Sequence, residues 1–430
     1  MPGDQAQSAS EAEADGPAGG TTVRRGEWAP LLLSGGYFFC VLCGYYCVRS
    51  VREAMGVEGG WDRLAWLMTA TLAVMFVANP GFAWLVSRFP RRIFIPATYR
   101  FFALNMLAFA GLFVVMDEPH RLWLGYAFYV WLSVFNLFVI SVFWAYMNDA
   151  WSPQQSKRLF GPIGVGGTLG AVCGSLLAAR LVQEIGPTGM MLLACGFLEG
   201  AVWFARGVRA RVRDSAAGSP EPGPRVWEGL RLIGRSPYLA LICVVLFAFT
   251  LTSTFLYMEQ GRIVSMSVAG RDARASTFAH IDLYANIGTL LVQAFVTSRL
   301  VRRLGLGWTL AILPLLTLAG FVALWAAPTL AVLTVFQTVR RSTEYAVGRP
   351  AREMLFARLG PEEKYKSKPF IDTFVYRGGD AIGAWVPKLL AHAGVAVGFV
   401  AIPVAAAWAV VAVALGRMER KATPAPIRPR

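Results

Sequence analysis

Charge is scarce in this chain of 430 residues. Asp, Glu, Lys and Arg make up 16%, hydrophobic residues 56%, and mean hydropathy is +0.49. A water-soluble domain carries nearer about a quarter charged residues, so that class is excluded. Histidine is almost missing, with only His120, His280 and His392. No Ser/His/Asp set and no metal-spaced His/Cys cluster is visible, and no G-K-[ST] follows the glycine-rich stretches. An enzyme is therefore not expected, nor a cofactor or metal. The six cysteines all fall in apolar stretches, with Cys40, Cys43 and Cys47 on one helical face, which suits packing. Lysine is nearly as rare, so arginine supplies most of the positive charge. Residues 1–28 are polar, acidic and Gly/Ala-rich, without the basic start and short apolar core of a cleaved signal. They read as a disordered tail, and the first apolar segment is expected to stay in the mature chain.

What the sequence does have is apolar blocks. Each is about 20 residues long, enough to cross a hydrocarbon core about 30 Å thick. A bilayer leaves no water for unpaired backbone groups, so the expected class is an all-α polytopic membrane protein. Twelve spans are expected near 29–50, 63–87, 93–116, 121–147, 160–184, 188–207, 237–258, 275–298, 307–326, 329–348, 370–391 and 394–416. The net charge of +15 then reflects the excess of Lys and Arg in inner loops, not a nucleic-acid surface. With both termini cytoplasmic, the tails and inner loops hold 27 basic residues against seven in outer loops or at their edges. The longest linker, 208–236, contains R-V-R-D-S-A-A-G-S-P-E-P-G-P. It separates an expected bundle over 29–207 from a second over 237–416, with 417–430 as a basic cytoplasmic tail. Within the linker, Val226–Ile233 has the pattern of a short helix lying on the inner surface.

The two bundles repeat one another. S-R-F-P-R-R at 87–92 returns as S-R-L-V-R-R at 298–303, an offset of 211. S-P-Q-Q (152–155), Phe160 and G-G-T-L-G (166–170) return as G-P-E-E (360–363), Phe370 and G-G-D-A-I-G (378–383). An even number of spans separates the copies, so the halves share one orientation. Two parallel six-helix pseudo-repeats describe the major facilitator fold.

Residues 143–170, F-W-A-Y-M-N-D-A-W-S-P-Q-Q-S-K-R-L-F-G-P-I-G-V-G-G-T-L-G, carry a more specific likeness. So do S-P-Y-L (236–239), T-F-L-Y-M-E-Q (254–260), F-A-H-I-D-L-Y-A-N (278–286), R-P-A-R-E (349–353) and Y-R-G-G-D-A-I-G-A-W (376–385). Together they resemble the nucleotide (ATP/ADP) antiporter branch of the major facilitator superfamily, in particular its bacterial relatives. The resemblance implies a carrier in a bacterial inner membrane. Nucleotide exchangers of that branch rely on helix lysines and glutamates. Here Lys388 alone among the lysines lies in an expected span, so the likeness bears on fold and branch more than on substrate.

Charges inside such spans are costly and should face a polar pathway. Arg100, Glu199, Arg340, Arg341, Glu344, Arg377 and Asp380 lie well inside their spans. Arg49, Arg52 and Glu53 close the first span, and His280, Asp282 and Asn286 open the eighth. All are expected to converge on the interior. Arg340–Glu344 at i, i+4 and Arg377–Asp380 at i, i+3 either pair as structural glue or serve the pathway. The surplus of arginine favours an anionic solute, bound by Arg49, Arg52, Arg100, Arg340, Arg341 and Arg377 through bidentate guanidinium contacts. Glu199, Glu344 and Asp380 are candidate proton or counter-charge sites. The basic turns with Arg88, Arg91 and Arg92, and with Arg299, Arg302 and Arg303, read as gates, or as orientation signals only. Their repetition favours the gate. Trp144, Tyr146, Tyr257, Tyr284, Tyr345 and Tyr376 either stack on a ligand ring or fill the core. Glycines crowd the fifth span (Gly161, Gly164, Gly166, Gly167, Gly170, Gly174) and the eleventh (Gly378, Gly379, Gly383), as at a tight rocking interface.

The expected function is a secondary transporter moving a small organic anion, a nucleotide or other phosphorylated solute among the candidates, by exchange or with protons. Its partners would be that solute and the lipid bilayer, and one chain would suffice. Two alternatives stay open. One is a proton-driven exporter of amphiphilic or cationic compounds using Glu199 and Asp380. The other is a non-transporting receptor or partner subunit.

Overall fold

A computed structural model describes residues 23–88, 91–210, 231–234, 236–295, 297–356, 359, 367 and 371–422. Every regular element among them is helical. In chain order they are α1 (Trp28–Glu58), α2 (Leu64–Arg88), α3 (Arg91–Val115), α4 (Glu118–Ala150), α5 (Pro153–Arg209), α6 (Pro237–Ser267), α7 (Arg271–Phe295), α8 (Thr297–Ala326), α9 (Leu330–Thr343), α10 (Arg349–Phe356), α11 (Tyr376–His392) and α12 (Gly398–Ala422).

Among the described residues, eight helical stretches are long and apolar enough to cross a membrane. α5 has 57 residues, about 86 Å at 1.5 Å per residue, which is enough for two crossings. It bends at Gly186, whose φ of 65° lies in the left-handed region that glycine enters without strain, followed by Pro187. α9 and α10 form one rod through a π-turn at Glu344–Gly348, and α11 is entered through another at Ile371–Val375. With the two arms of α5 counted separately, twelve rods result among the described residues.

Local sequence explains the starts. Ser152 and Gln155 cap α5 reciprocally, and Pro153 at the first turn needs no hydrogen-bond partner. Ser236–Pro237 opens α6 in the same way, the Ser236 hydroxyl accepting from Leu239 N at 3.4 Å. Large apolar side chains cover much of the outer surface, among them Val77, Val115, Trp203 and Val410.

The glycines weld helices within each half. A Cβ on Gly170 would lie 2.3 Å from the Phe39 carbonyl oxygen of α1. A Cβ on Gly383 would lie 2.7 Å from Thr254 Cβ of α6. Gly166 and Gly379 meet Gly35 and Thr250 in the same manner. So α5 presses on α1 as α11 presses on α6, and the sequence repeat is also a packing repeat. The close contacts of these four glycines are made within a half, α5 on α1 and α11 on α6.

Contacts across the halves are polar and specific. Asn286 of α7 donates to Ser175 Oγ at 3.0 Å and to the Ala171 carbonyl at 3.3 Å on α5. Trp385 of α11 donates to Thr69 of α2 at 3.1 Å.

Boundaries differ from expectation in two functional places. α1 runs on to Glu58, so Arg49, Arg52 and Glu53 sit inside the helix, not at its end. The rod expected to stop at 348 continues to Phe356, which carries Arg349 and Arg352 with it. α12 likewise continues to Ala422, into the expected tail. Most of the expected linker and its surface helix fall outside the described residues.

Candidate functional site

The buried charges gather around two adjoining cavities of about 710 and 410 Å³. Both are bordered by Arg49, Ser253, Tyr257, Arg377 and Asp380. The larger is lined by Arg49, Arg340, Arg341, Arg349, Arg352 and Arg377, against Glu53, Asp282, Glu344, Glu353 and Asp380. Arg52 adds a further cation in the smaller. Cations therefore outnumber carboxylates.

Asp282 is the hub. It is buried on α7 and accepts from Arg49 of α1 at 2.6 Å and from Arg341 of α9 through the same oxygen. Both guanidiniums are thus held with one counter-charge between them. Glu344 pairs with Arg352, eight residues further along the same rod and across the π-turn. The expected Arg340–Glu344 pair is corrected accordingly. Among the described residues Arg340 has no carboxylate within ion-pair reach. It donates to Thr317 at 3.2 Å and to Ser253 at 2.5 Å, and lies over the Phe249 ring at 5.6 Å. Arg352 stacks on the same ring at 4.2 Å.

Four buried polar atoms here have no partner among the described residues: Arg52 Nε, a terminal nitrogen each of Arg341 and Arg352, and Glu344 Oε2. Donors left unsatisfied in a buried site are costly unless a ligand or water completes them. Asp380 accepts from Thr254 at 3.1 Å and faces both cavities. Among the described residues no ion pair of the expected kind joins Arg377 to it.

One end is sealed across the halves. Tyr257 of α6 donates to Glu53 of α1 at 2.5 Å and meets Tyr129 of α4 at 2.6 Å. Arg52 pairs with Glu53 and donates to Ser133 at 3.0 Å. Beyond them Arg271 of α7 grips Glu58 of α1. At the other end Arg349 and Glu353 are exposed, so the larger cavity reaches solvent there.

Arg100 and Glu199 do not join the site. They pair with each other through two hydrogen bonds, and their side chains are 47% and 56% exposed on the outer face. Sequence spacing gives depth in a span but not the direction a side chain faces, and this pair faces out. Arg88 is exposed at the end of α2. The side chains of Arg91, Arg92, Arg299, Arg302 and Arg303 lie outside the described ones. Of the aromatics, Tyr257, Tyr345 and Tyr376 line the larger cavity. Trp144 packs on Phe38, Phe143 and Phe160, Tyr146 is core, and Tyr284 is exposed. Sequence reasoning assigned no site role to Arg349, Arg352 or Glu353. R-P-A-R-E holds them, just beyond the expected end of the span at 348.

A helical bundle whose long rods seal a charged internal cavity at one end defines the class, a membrane transporter. The family model for the Major Facilitator Superfamily matches residues 36–348, and the chain belongs to that family. Among curated proteins, ADP,ATP carrier protein 1 of Chlamydia pneumoniae is 20% identical over 312 residues, 62% of this chain and 61% of that protein. The match thus spans about three fifths of the relative's length. Among solved structures, a POT family transporter in complex with a thioalcohol-conjugated peptide superposes with a TM-score of 0.65 at 12% identity, covering 92% of this chain and 96% of that one. The nucleoside transporter NupG gives 0.59 at 12% identity, covering 91% and 99%.

Proposed function

We propose that this protein is a secondary active transporter that moves a small organic anion across a bacterial inner membrane by alternating access. The larger cavity is the binding chamber, with Arg340, Arg341 and Arg352 taking the anionic group. The carrying observation is Arg340: a buried guanidinium that, among the described residues, has hydroxyl and ring partners but no carboxylate, beside two others with unfilled donors. Guanidinium forks match phosphate and carboxylate oxygens, and desolvation strengthens each contact.

The two halves, 29–207 and 237–416, pivot about this chamber, and one chain carries all its parts. With the termini cytoplasmic, the sealed end faces out and the chamber faces in. An entering anion competes with Asp282 for Arg49 and Arg341. Releasing Arg49 loosens the bond between α1 and α7, so binding is coupled to opening of the seal. Asp380, which accepts from Thr254, is positioned to carry a proton or balance charge. The likeness to the chlamydial ADP,ATP carriers supports a phosphorylated solute and exchange. For a cation exporter the sequence supplied two carboxylates, and Glu199 is already occupied by Arg100 on the outer face.

The test is uptake into liposomes. Purified protein should accumulate a labelled phosphorylated or carboxylated solute, faster against an internal pool of the same solute. Unchanged uptake kinetics in an Arg340→Gln/Arg352→Gln double variant would remove the anion site.

A further inference from the structure

The Arg100–Glu199 pair is badly placed on a chain that stands alone. Arg100 is nine residues from the start of α3 at Arg91, about 14 Å along the helix. Glu199 is ten residues from the end of α5 at Arg209, about 15 Å along it. Both lie in membrane-length apolar stretches, so the pair sits near mid-depth. The two side chains hold each other through two hydrogen bonds, yet about half of each stays exposed. The surface around them is apolar, with Phe101 and Leu104 of α3 and Leu192 and Trp203 of α5 exposed. Charges at that depth ordinarily face protein or water, because acyl chains solvate neither. A second feature marks the same face. Gly196 is exposed one turn from Glu199, and nothing lies within 4 Å of the position its Cβ would take. It leaves a hollow beside the charges, and small residues are where membrane helices approach one another closely.

We propose that a second copy of this chain covers this face, giving a two-fold symmetric dimer through α3 and the second arm of α5. Charge selects the occupant. The patch carries one cation and one anion at nearly equal depth, so the line from guanidinium to carboxylate lies close to the membrane plane. A two-fold axis along the membrane normal reverses that line. Two copies then meet head to tail, each Glu199 carboxylate opposite the other copy's Arg100, and four charges alternate around the axis. A patch of single sign would repel its own copy, whereas this one is self-complementary. Arg100 spends Nε and one terminal nitrogen on its own Glu199, which leaves the other terminal nitrogen for the carboxylate opposite. Those contacts strengthen as the second copy displaces lipid from a site that water does not reach. Leu104 and Trp203 pack as an apolar rim, and a side chain of the other copy enters the hollow at Gly196. The interface belongs to the first half alone. Each copy therefore keeps its own chamber, and its second half stays free to move against the first.

The experiment uses the full chain, labelled and reconstituted in liposomes over a range of protein-to-lipid ratios, with energy transfer between copies as the readout. Transfer should persist on dilution to a definite half-dissociation density. Light scattering in mild detergent should give a protein mass of twice 46.9 kDa. Arg100→Leu/Glu199→Leu removes both charges together and should raise the half-dissociation density at least about tenfold. The reversed pair, Arg100→Glu/Glu199→Arg, is again self-complementary and should keep the dimer. Gly196→Leu fills a hollow that is open in the single chain, so melting should hold while the dimer weakens at least about tenfold. It keeps the proposal testable if the charge variants fold poorly. A parent chain that stays single at every density, or that binds a different membrane protein in place of its own copy, overturns the proposal. So do dimers as tight as the parent's in either folded variant, Arg100→Leu/Glu199→Leu or Gly196→Leu.

Discussion

Arg49 on α1 donates to Asp282 on α7 at 2.6 Å, an ion pair inside the bundle that ties the first half of the chain to the second. The same carboxylate holds Arg341, so removing it strands two guanidiniums at once. Breaking a buried pair by deleting one partner costs about 3–5 kcal/mol. Asp282→Asn is expected to lower the melting temperature in detergent by several degrees. Adding Arg341→Gln should recover part of the loss. A single variant as stable as the parent would show that the pair contributes nothing to the seal.

Arg340→Lys tests geometry against charge. Lysine keeps the cation but not the planar fork, and it reaches Ser253 and Thr317 differently. Transport should fall at least about tenfold, with most of the loss in apparent affinity. Uptake kinetics in liposomes decide the matter, and wild-type affinity in Arg340→Lys would mean that a point charge suffices.

Close helix approach is tested at Gly170. A Cβ there would lie 2.3 Å from a backbone oxygen that cannot swing aside. Overpacking of this kind costs about 1–3 kcal/mol or more. Gly170→Leu should leave little folded protein, by size-exclusion yield. Gly161→Ala, on the same helix with nothing within 4 Å, should be neutral.

The outer Arg100–Glu199 pair predicts a different pattern. Either neutralisation leaves one charge facing the acyl chains without its partner, which disfavours insertion. Arg100→Leu or Glu199→Leu alone should reduce membrane yield several-fold, and the double variant should restore it. Solute affinity should not change in any of the three, since neither side chain reaches the cavities. A transport defect in the well-expressed double variant would contradict this placement.

Acid should weaken the clasp where α1 begins. Glu27 accepts from Arg158 at 2.9 Å and from Gln155 at 3.1 Å on α5, and from the Arg24 amide at 3.0 Å. Burial pushes its carboxyl up, but these donors outweigh it and hold it below the usual carboxylate range. A depressed folded-state value means the contribution is complete above the ordinary glutamate range and is lost as pH falls through the folded value. Melting measured from pH 7 down to about pH 3 should drop more steeply in the parent than in Glu27→Gln. Parallel curves would show that Glu27 does not titrate with unfolding.

Much of this could be read in advance, and the failures share one cause. Apolar block length located the rods, and the repeat between S-P-Q-Q and G-P-E-E foretold that α5 and α11 are counterparts. Arg49, Arg340, Arg341, Glu344 and Asp380 were legible because charge in a membrane-length segment is expensive wherever it points. Arg100 and Glu199 met the same criterion and pointed outward. Arg352 lay beyond the expected end of its span at 348, whereas the π-turn carries the rod onward through Pro350, which a first helical turn tolerates.

By itself the sequence determined that this chain crosses a bilayer many times as helices, in two copies of one plan. Hydrocarbon thickness and the need to satisfy every backbone group leave no other arrangement for such blocks. Only the tertiary structure decided which way each helix is rotated. That rotation set which arginines meet at Asp282, which pair faces lipid, and which donors are left open to a solute, because a helix's facing depends on the surfaces packed against it.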